Sequence, residues 1–440
     1  MTGNYNSFGL IDRRQRVAIP LEQARELFEN QRYDPGGFLA FGNGKSYGDS
    51  CHNDQGTLID MRGSDQLIEF DANTGRLTAQ AGITLSSIIT IGAKHGYFLP
   101  VTPGTRFVTL GGAIANDVHG KNHHRRGTFG CHVERFELLR SDGSTITCAP
   151  ETNSRLFDAT IGGLGLTGVI LAATVQLMKV GSLDVLERIR PFRSLGEYFS
   201  LAVQADADNE YSVAWVDQLA SGADAGRGVL ISGNHADNGN FAVSTKPGRL
   251  NVPFDLPISA LNYPSLKLFN AAYYNLKGRQ QKSHLSGYQN FFYPLDQVLN
   301  WNRLYGKAGL FQHQSVIPEA AAPSVIPNML KATRDAGQSS FLTVLKRFGD
   351  IQSPGILSFP QAGYTLTVDF PNRGRRTLGL LAELDRMTIA SGGRVNPYKD
   401  QRMSAAVFKA GFPRWKELDQ ERDPEINSNF WQRTALAGAM

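Results

Sequence analysis

The stretch VTPGTRFVTLGGAIANDVHGKNHHRRGTFG, residues 101–130, combines glycines, threonines and a cationic cluster in one continuous segment. Its glycines allow the backbone to turn tightly and to approach a ligand closely, so peptide N–H groups can point at anionic oxygens. His119, Lys121 and the run 123–126 add positive charge beside that surface. The segment therefore predicts a site for a phosphorylated cofactor or substrate.

A second segment, FLAFGNGKSYGD at residues 38–49, is an apolar strand-like run that breaks into a glycine loop. Within it, residues 42–46 have the Gly-Lys-Ser ending of a P-loop but lack the glycine that a P-loop carries five positions before Gly44. No G-x-G-x-x-G with a later acidic residue follows a strand, which argues against a dinucleotide-binding Rossmann site. Two separated loops that share one diphosphate are the remaining interpretation.

Composition is that of an ordinary soluble enzyme. The chain has 440 residues, 41% of them hydrophobic, which is enough for two domains. The formal net charge is +5, yet the basic residues are dispersed except between His119 and Arg126, so phosphate ligands or an anionic membrane surface are favoured over nucleic acid. Three cysteines without C-x-x-C spacing support neither a disulfide framework nor a metal site.

The two loops resemble those of the vanillyl-alcohol oxidase superfamily, whose PCMH-type FAD-binding domain encloses the FAD diphosphate between two glycine loops. The likeness extends to TIGGLGLTGVILAAT at 160–174, which resembles the family's turn and strand beside adenine, and to Tyr398-Lys399-Asp400. The resemblance implies FAD as cofactor and an α+β, two-domain fold with an antiparallel-sheet substrate domain. We expect the FAD-binding domain at 1–183 plus 394–440 and the substrate domain at 184–393.

A narrower resemblance is to the flavin subunits of decaprenylphosphoryl-ribose 2-epimerases. It is carried by GKSYGD at 44–49, DVHGKNHH at 117–124, QHQ at 312–314, LK at 345–346, GYTLTVDFP at 363–371 and KD at 399–400. It implies oxidation of the ribose 2-hydroxyl of a polyprenylphosphoryl-β-D-ribose to a 2-keto sugar. A separate NAD(P)H-dependent short-chain reductase would then complete epimerisation to the arabinose.

The resemblance also implies roles for individual residues. Lys399 corresponds to a lysine against the flavin and the sugar, and Tyr47 and His119 join it as candidate catalytic residues. The candidate substrate-binding residues are Lys121, Gln312, Gln314, Lys346 and Thr367. The candidate cofactor-binding residues are Ala40, Phe41, Gly42, Asn43, Gly44, Lys45, Ser46, Gly104, Thr109, Leu110, Gly111, Gly112, Asn116, Asp117, Val118, His119, Ile170 and Asn396.

Two positions depart from the family pattern. Lys45 stands where members with covalently bound FAD often carry a histidine, and lysine cannot form the histidyl link, so we expect dissociable FAD. Thr367 stands where mycobacterial-type family members carry a cysteine, a change that does not alter the redox chemistry.

Between residues 245 and 285 the chain is rich in Leu, Phe, Tyr and Pro without full helical periodicity. We expect an irregular stretch that meets a lipid tail or a membrane surface, with ordinary loop packing as the alternative. No apolar run approaches the ~20 residues that span a bilayer. The prediction is a cytoplasmic protein, with peripheral contact at the inner membrane face.

Two other functions remain open at this point. An alditol or aldonolactone oxidase would share the fold, although the missing histidine argues against it. A non-catalytic module that binds sugar phosphates or nucleic acid is favoured only by the basic cluster.

Overall fold

The computed structural model describes residues 2–244, 248, 250–280 and 283–437. The first part of the chain forms a four-stranded, a five-stranded and a two-stranded sheet, with helices around them. Its strands are β1 Thr2–Gly3, β2 Arg16–Pro20, β3 Phe38–Phe41, β4 Thr57–Asp60, β5 Leu67–Asp71, β6 Arg76–Gln80, β7 Tyr97–Phe98, β8 Val133–Leu139, β9 Thr145–Cys148, β10 Val169–Gln176 and β11 Met178–Lys179. Its α-helices are α1 Leu21–Glu29, α2 Leu85–Ala93, α3 Leu110–Ala115, α4 His123–Arg126 and α5 Ser154–Thr160.

The remaining chain builds one large sheet, its covering helices and a C-terminal helical segment. The strands are β12 Val185–Phe192, β13 Tyr211–Val216, β14 Gly228–His235, β15 Leu250–Asn251, β16 His284–Ser286, β17 Val298–Leu299, β18 Leu310–Ile317, β19 Val344–Phe348, β20 Gly363–Pro371 and β21 Arg394–Val395. The α-helices are α6 Leu195–Asp208, α7 Tyr263–Gly278, α8 Tyr288–Phe292, α9 Ala322–Asp335, α10 Arg375–Ala390, α11 Ala405–Gly411, α12 Trp415–Glu421 and α13 Asn429–Thr434.

Three sheets organise the molecule. A four-stranded sheet has the order β1-β2-β4-β3, with parallel pairing around β4, and a five-stranded antiparallel sheet has the order β5-β6-β10-β8-β9. The third sheet has eight strands in the order β16-β12-β14-β13-β19-β20-β18-β21, all paired antiparallel. The predicted α+β organisation with an antiparallel-sheet second domain is confirmed.

Separate hydrophobic cores accompany the sheets. One core joins the first two sheets to the C-terminal helices, where Phe408, Phe430 and Trp431 pack into the same cluster as Phe38. Another lies between the eight-stranded sheet and helices α6, α9 and α10. Strand β21 hydrogen-bonds to β18 of the eight-stranded sheet, so the last segment leaves that sheet before it returns to the first core. The domain limits given above stay a prediction.

The expectation of an irregular stretch over 245–285 is wrong for its central part, because α7 occupies Tyr263–Gly278. The helix begins with a capping box between Asn262 and Ser265. Only Leu266 and Asn270 of this helix are buried, and its other apolar residues are not. The apolar residues therefore do not form the single buried stripe by which an amphipathic helix is recognised in a sequence. Residues 245–247, 249, 281 and 282 of the stretch lie outside the described part of the chain.

The sequence patterns assign no role to the basic run 123–126. In the structure, this run lies between the first part of the chain and the eight-stranded sheet. Arg126 pairs with Glu210 at 2.8 Å, and Arg125 donates to the backbone carbonyl of Asn209 at 3.2 Å. His124 also contacts that carbonyl, at 3.0 Å. The run therefore fastens the first part of the chain to the segment that enters β13.

Candidate active site

A cavity of about 500 Å³ lies between the loops of the first part of the chain and the eight-stranded sheet. Its lining includes every predicted catalytic and substrate-binding residue: Tyr47, His119, Lys121, Gln312, Gln314, Lys346, Thr367 and Lys399. Of the predicted cofactor-binding residues it includes Ala40, Gly42, Asn43, Gly44, Lys45, Ser46, Gly104, Thr109, Gly111, Gly112, Asn116, Val118, His119 and Ile170. Cavities of this size hold cofactors and small molecules.

Four predicted cofactor-binding residues do not line the cavity. Phe41 packs edge-on against Tyr5, and Leu110 is buried at the start of α3. The carboxylate of Asp117 accepts hydrogen bonds from the backbone of Gly130 and from two serines, Ser353 and Ser358. Asn396 bonds to Gln314 and to the backbone of Tyr398. The structure thus gives Asp117 and Asn396 contacts that support the walls of the cavity.

The glycine end of the cavity presents backbone dipoles. In the described part of the chain, the backbone amides of residues 43–46 donate to no protein acceptor. Gly44 adopts φ +57°, and a Cβ there would lie 2.4 Å from the carbonyl oxygen of Asn6. A Cβ on Gly104 would meet no protein atom within 4 Å, although Gly104 lines the cavity. Free amides around open space suit an anionic diphosphate.

The opposite end presents lysine side chains. Lys121, Lys346 and Lys399 all face the cavity. Burial lowers the pKa of Lys121 to about 8, that of Lys346 to about 7 and that of Lys399 to about 8. Lys121 and Lys399 depress the pKa of Lys346 further, because like charges oppose one another. This end suits ligands that carry or develop negative charge.

Lys399 lies between an aromatic ring and a carboxylate. Its Nζ is 4.2 Å from the centroid of the Tyr47 ring, and Asp369 acts to raise its pKa. Burial raises the pKa of Asp369 to about 7, and Gln312 Nε2 donates to Asp369 Oδ1 at 2.6 Å. Burial also raises the pKa of Tyr47 well above its ordinary value, so Tyr47 remains a neutral phenol at neutral pH.

His119 joins the two parts of the protein at the cavity wall. Its Nε2 lies 3.0 Å from Gln314 Nε2 on β18, and its Nδ1 lies 3.2 Å from Lys346 Nζ on β19. Its ring packs edge-on against Phe348. Burial, followed by the charges of Lys346, His123 and Lys399, lowers the pKa of His119 well below its ordinary value. The imidazole is therefore neutral.

Sequence reasoning missed the aromatic part of the cavity wall. Trp215 on β13, Tyr273 on α7 and Trp301 line the cavity, and Trp215 and Tyr273 are in contact at a centroid distance of 4.7 Å. The run at 211–216 favours a strand, but the sequence does not show which face of the strand meets the cavity. Tyr273 was hidden because α7 itself was not predicted.

Comparison with known proteins agrees with this geometry. A family model described as an FAD binding domain matches residues 33–149, which contain both glycine loops. The decaprenylphosphoryl-β-D-ribose oxidase of Mycolicibacterium smegmatis is 35% identical over 408 residues, 88% of this chain and 86% of that protein. An uncharacterized protein of Streptomyces coelicolor is 33% identical over 80% of this chain and all of its own length. Mouse L-gulonolactone oxidase is 29% identical over only 35% of this chain.

These matches define a class. The chain belongs to the decaprenylphosphoryl-β-D-ribose oxidase family within the PCMH-type FAD-binding superfamily of flavoproteins. It is an FAD-dependent oxidoreductase that acts on CH–OH groups. The residues fit the cofactor, because the free amides of 43–46 and the open space at Gly104 can receive its diphosphate. When bound, FAD accepts the hydrogen and electron pair that leave the alcohol carbon.

Two further observations concern membrane spans and metal sites. Among the described residues, no helix is both long and apolar enough to cross a bilayer. In the same ranges, no group of three or more His, Cys, Asp or Glu residues is placed to hold a metal ion.

Proposed function

We propose that the protein oxidises the ribose 2-hydroxyl of a polyprenylphosphoryl-β-D-ribose to the 2-keto sugar. The observation that carries the proposal is the group of three lysines, Lys121, Lys346 and Lys399, on one wall of a cavity whose neighbouring wall is aromatic. The similarity to a decaprenylphosphoryl-β-D-ribose oxidase supports the same substrate class. Lysines suit a sugar phosphate, and the aromatic wall suits the sugar face and the first isoprene units.

In this proposal the residues divide the work. Lys399 stays largely charged at neutral pH because its pKa is about 8, and it stabilises negative charge that develops on the reduced cofactor. Tyr47, as a neutral phenol, donates a hydrogen bond to substrate. Gln312 is oriented by Asp369, and Thr367 lies beside Gln314 on the paired strand β20. Lys121 binds the polar part of the substrate.

The cofactor is proposed to be non-covalent. Lys45 occupies the cavity wall in the glycine loop, with its Nζ 5.8 Å from the Phe8 ring centroid. Precipitation of the holoprotein with acid should leave FAD in the supernatant. Yellow colour retained in the washed precipitate would contradict non-covalent binding.

The oxidation is tested by anaerobic bleaching of the bound flavin. Polyprenylphosphoryl ribose should bleach the flavin, whereas free alditols and aldonolactones at the same concentration should not. Bleaching by the free polyols or lactones alone would favour the other oxidases of the superfamily. The 2-keto product would be the substrate of a separate NAD(P)H-dependent short-chain reductase, which coupled assays with such reductases can identify.

Helix α7 is proposed to meet the lipid tail or the membrane surface. Leu268 and Leu276 on this helix are 74% and 63% exposed, while Tyr273 of the same helix lines the cavity. Replacing Leu268 and Leu276 together by Glu should reduce flotation with anionic liposomes. Ile68→Glu, at a position 58% exposed on β5, is the matched control. Equal flotation of both variants would remove the membrane contact.

A further inference from the structure

A series of hydrogen bonds through the side-chain amides of Asn396 and Gln314 leads to His119 and determines which of its ring nitrogens carries the proton. The backbone N–H of Tyr398 donates to Asn396 Oδ1 at 3.2 Å, which leaves Asn396 Nδ2 to donate to Gln314 Oε1 at 2.9 Å. Gln314 must then present its Nε2 to His119, at 3.0 Å. An amide nitrogen can only donate, so His119 Nε2 is the acceptor.

The single proton of neutral His119 is therefore on Nδ1. That nitrogen lies 3.2 Å from Lys346 Nζ. An ammonium group has three donors and no lone pair, so an N–H of a protonated Lys346 would face the Nδ1–H of His119 with no acceptor between them. A neutral amine has a lone pair that can receive the Nδ1–H. The carbonyl of Gly120, which also interacts with His119, lies 3.4 Å from Lys346 Nζ and can accept an N–H of the amine.

The surroundings of Lys346 oppose a positive charge in the same way. Lys121 and Lys399 both act against its protonation, and His123 and His119 lie close enough to interact with its charge. Among the described residues, no carboxylate contributes to the pKa of Lys346, whereas Glu187 supports the charge of Lys121 and Asp369 that of Lys399. Of the three lysines, Lys346 is thus the one held as a free amine.

We propose that Lys346 is the base that takes the proton of the substrate hydroxyl, and that Gln314 and Asn396 are positioning residues that keep its amine neutral through His119. This inference rests on the proposed function, since the sugar supplies the hydroxyl. The O–H proton forms a new N–H bond on Nζ, and the C–H hydrogen leaves the carbon together with the bond's electron pair, as hydride that oxidised FAD would accept when bound. The carbinol carbon becomes a carbonyl, so the substrate is oxidised and the cofactor is reduced by two electrons.

A first experiment measures the amine without substrate. Trace acetylation of the holoprotein at a series of pH values, followed by peptide mass spectrometry, reports the pH at which each lysine becomes reactive. Lys346 should reach half of its full reactivity near pH 7, because burial lowers its pKa to about 7. The same lysine in the unfolded protein is the internal reference, and there it should reach half reactivity at the ordinary lysine value of ~10.4. Equal midpoints for Lys346 in the folded and the unfolded protein would overturn the proposal.

The second experiment separates a base from a fixed cation. Lys346→Arg keeps a positive charge but cannot become neutral, so it should slow anaerobic flavin reduction as much as Lys346→Met, by about 10²–10⁴-fold. Added alkylamines should partly restore Lys346→Ala. Retained activity in Lys346→Arg, or absence of amine rescue, would contradict the proposal. Lys331→Met is the matched control and should reduce its flavin at the unmodified rate.

The third experiment addresses the positioning residues. A carboxylate at position 314 accepts the Nε2–H of His119, which frees Nδ1 as an acceptor for a protonated Lys346. Gln314→Glu should therefore move the midpoint of Lys346 acetylation, and that of the flavin-reduction pH profile, at least one unit upward. An unmoved acetylation midpoint would overturn the role of Gln314. If the sugar fails to bleach the flavin while Lys346 still becomes reactive near pH 7, the proposed substrate fails and the state of the lysine stands.

Discussion

The two ends of the cavity use different parts of the polypeptide. At the glycine end, residues 43–46 offer backbone amides, and Gly104 offers the space that a side chain would fill. At the lysine end, Lys121, Lys346 and Lys399 each offer a single amino group whose pKa is lowered by burial. At the glycine end, substitutions should therefore matter only where a new Cβ would clash with the backbone or fill the cavity. At the lysine end, each function depends on a single side chain, so each substitution should remove one function.

Among the substitutions that compare the two ends, the largest effect is expected from Lys399→Met. It removes the charge that we place beside the reduced cofactor, so the rate of anaerobic flavin reduction should fall by about 10²–10³-fold while the flavin stays bound. Stopped-flow absorbance measures the rate, with Lys331→Met as the exposed control. A rate within twofold of that of the unmodified protein would show that the Lys399 charge does not contribute to flavin reduction, and that catalysis is not a function of the lysine end.

Gly44→Ala should damage the glycine end itself. The residue has φ +57° and an alanine Cβ would lie 2.4 Å from Asn6 O, so the holoprotein should lose at least ~1–2 kcal/mol of stability and retain less FAD. Thermal unfolding and the ratio of flavin to protein absorbance measure both. Gly379→Ala, in helix α10 where a Cβ meets nothing, should be neutral or stabilising by about 0.5–1 kcal/mol.

Gly104→Val should have a smaller effect, confined to the open space of the cavity at the glycine end. A side chain here meets no protein atom within 4 Å at Cβ, so the melting temperature of the apoprotein should be unchanged. The affinity for FAD should nevertheless fall by at least tenfold, because the side chain occupies cavity volume. Fluorescence titration of the apoprotein with FAD measures the affinity. Unchanged affinity would place the cofactor elsewhere in the cavity.

The smallest effect is expected at the junction between the two parts of the chain. Although burial acts to raise it, hydrogen bonds from Arg126 and Asn122 hold the pKa of Glu210 below its ordinary value. Its contribution to stability is therefore present above about pH 4.3 and is lost as the pH falls through the lower folded-state pKa. Glu210→Gln should cost no more than ~1 kcal/mol at pH 7, since the Arg126 side chain is 41% exposed.

This prediction is checked by thermal unfolding of both proteins across pH. The difference in stability between them should shrink as the pH is lowered below about 4. A difference that grows on acidification would mean that Glu210 acts through some other contact. Glu210→Gln should not change flavin reduction at pH 7, because residues 122, 126 and 210 lie outside the cavity lining.

Local sequence patterns predicted many of the elements. The run YSVAWV at 211–216 favours a strand, and the structure forms β13 there. The segment 85–95 favours an amphipathic helix, and α2 occupies Leu85–Ala93 of it. Helix α7 was missed because its exposed face is also apolar, so no 3.6-residue periodicity stands out. The resemblance to a flavoprotein family, in turn, depended on short motifs rather than on periodicity.

The sequence by itself determined which chemical groups are available at the site. Short motifs identify its glycines, lysines and amide side chains, at 40–49, 104–121, 312–314, 346 and 399. Tertiary structure decided which of those groups meet. The pairing of β18 with β20 and β21, and of β20 with β19, brings Gln314, Lys346 and Asn396 together although they are far apart in the chain. His119, from the loop that follows α3, completes the hydrogen-bonded group across the cavity wall. Protonation depends on burial and on neighbouring charges, and neither is a property of the residue alone.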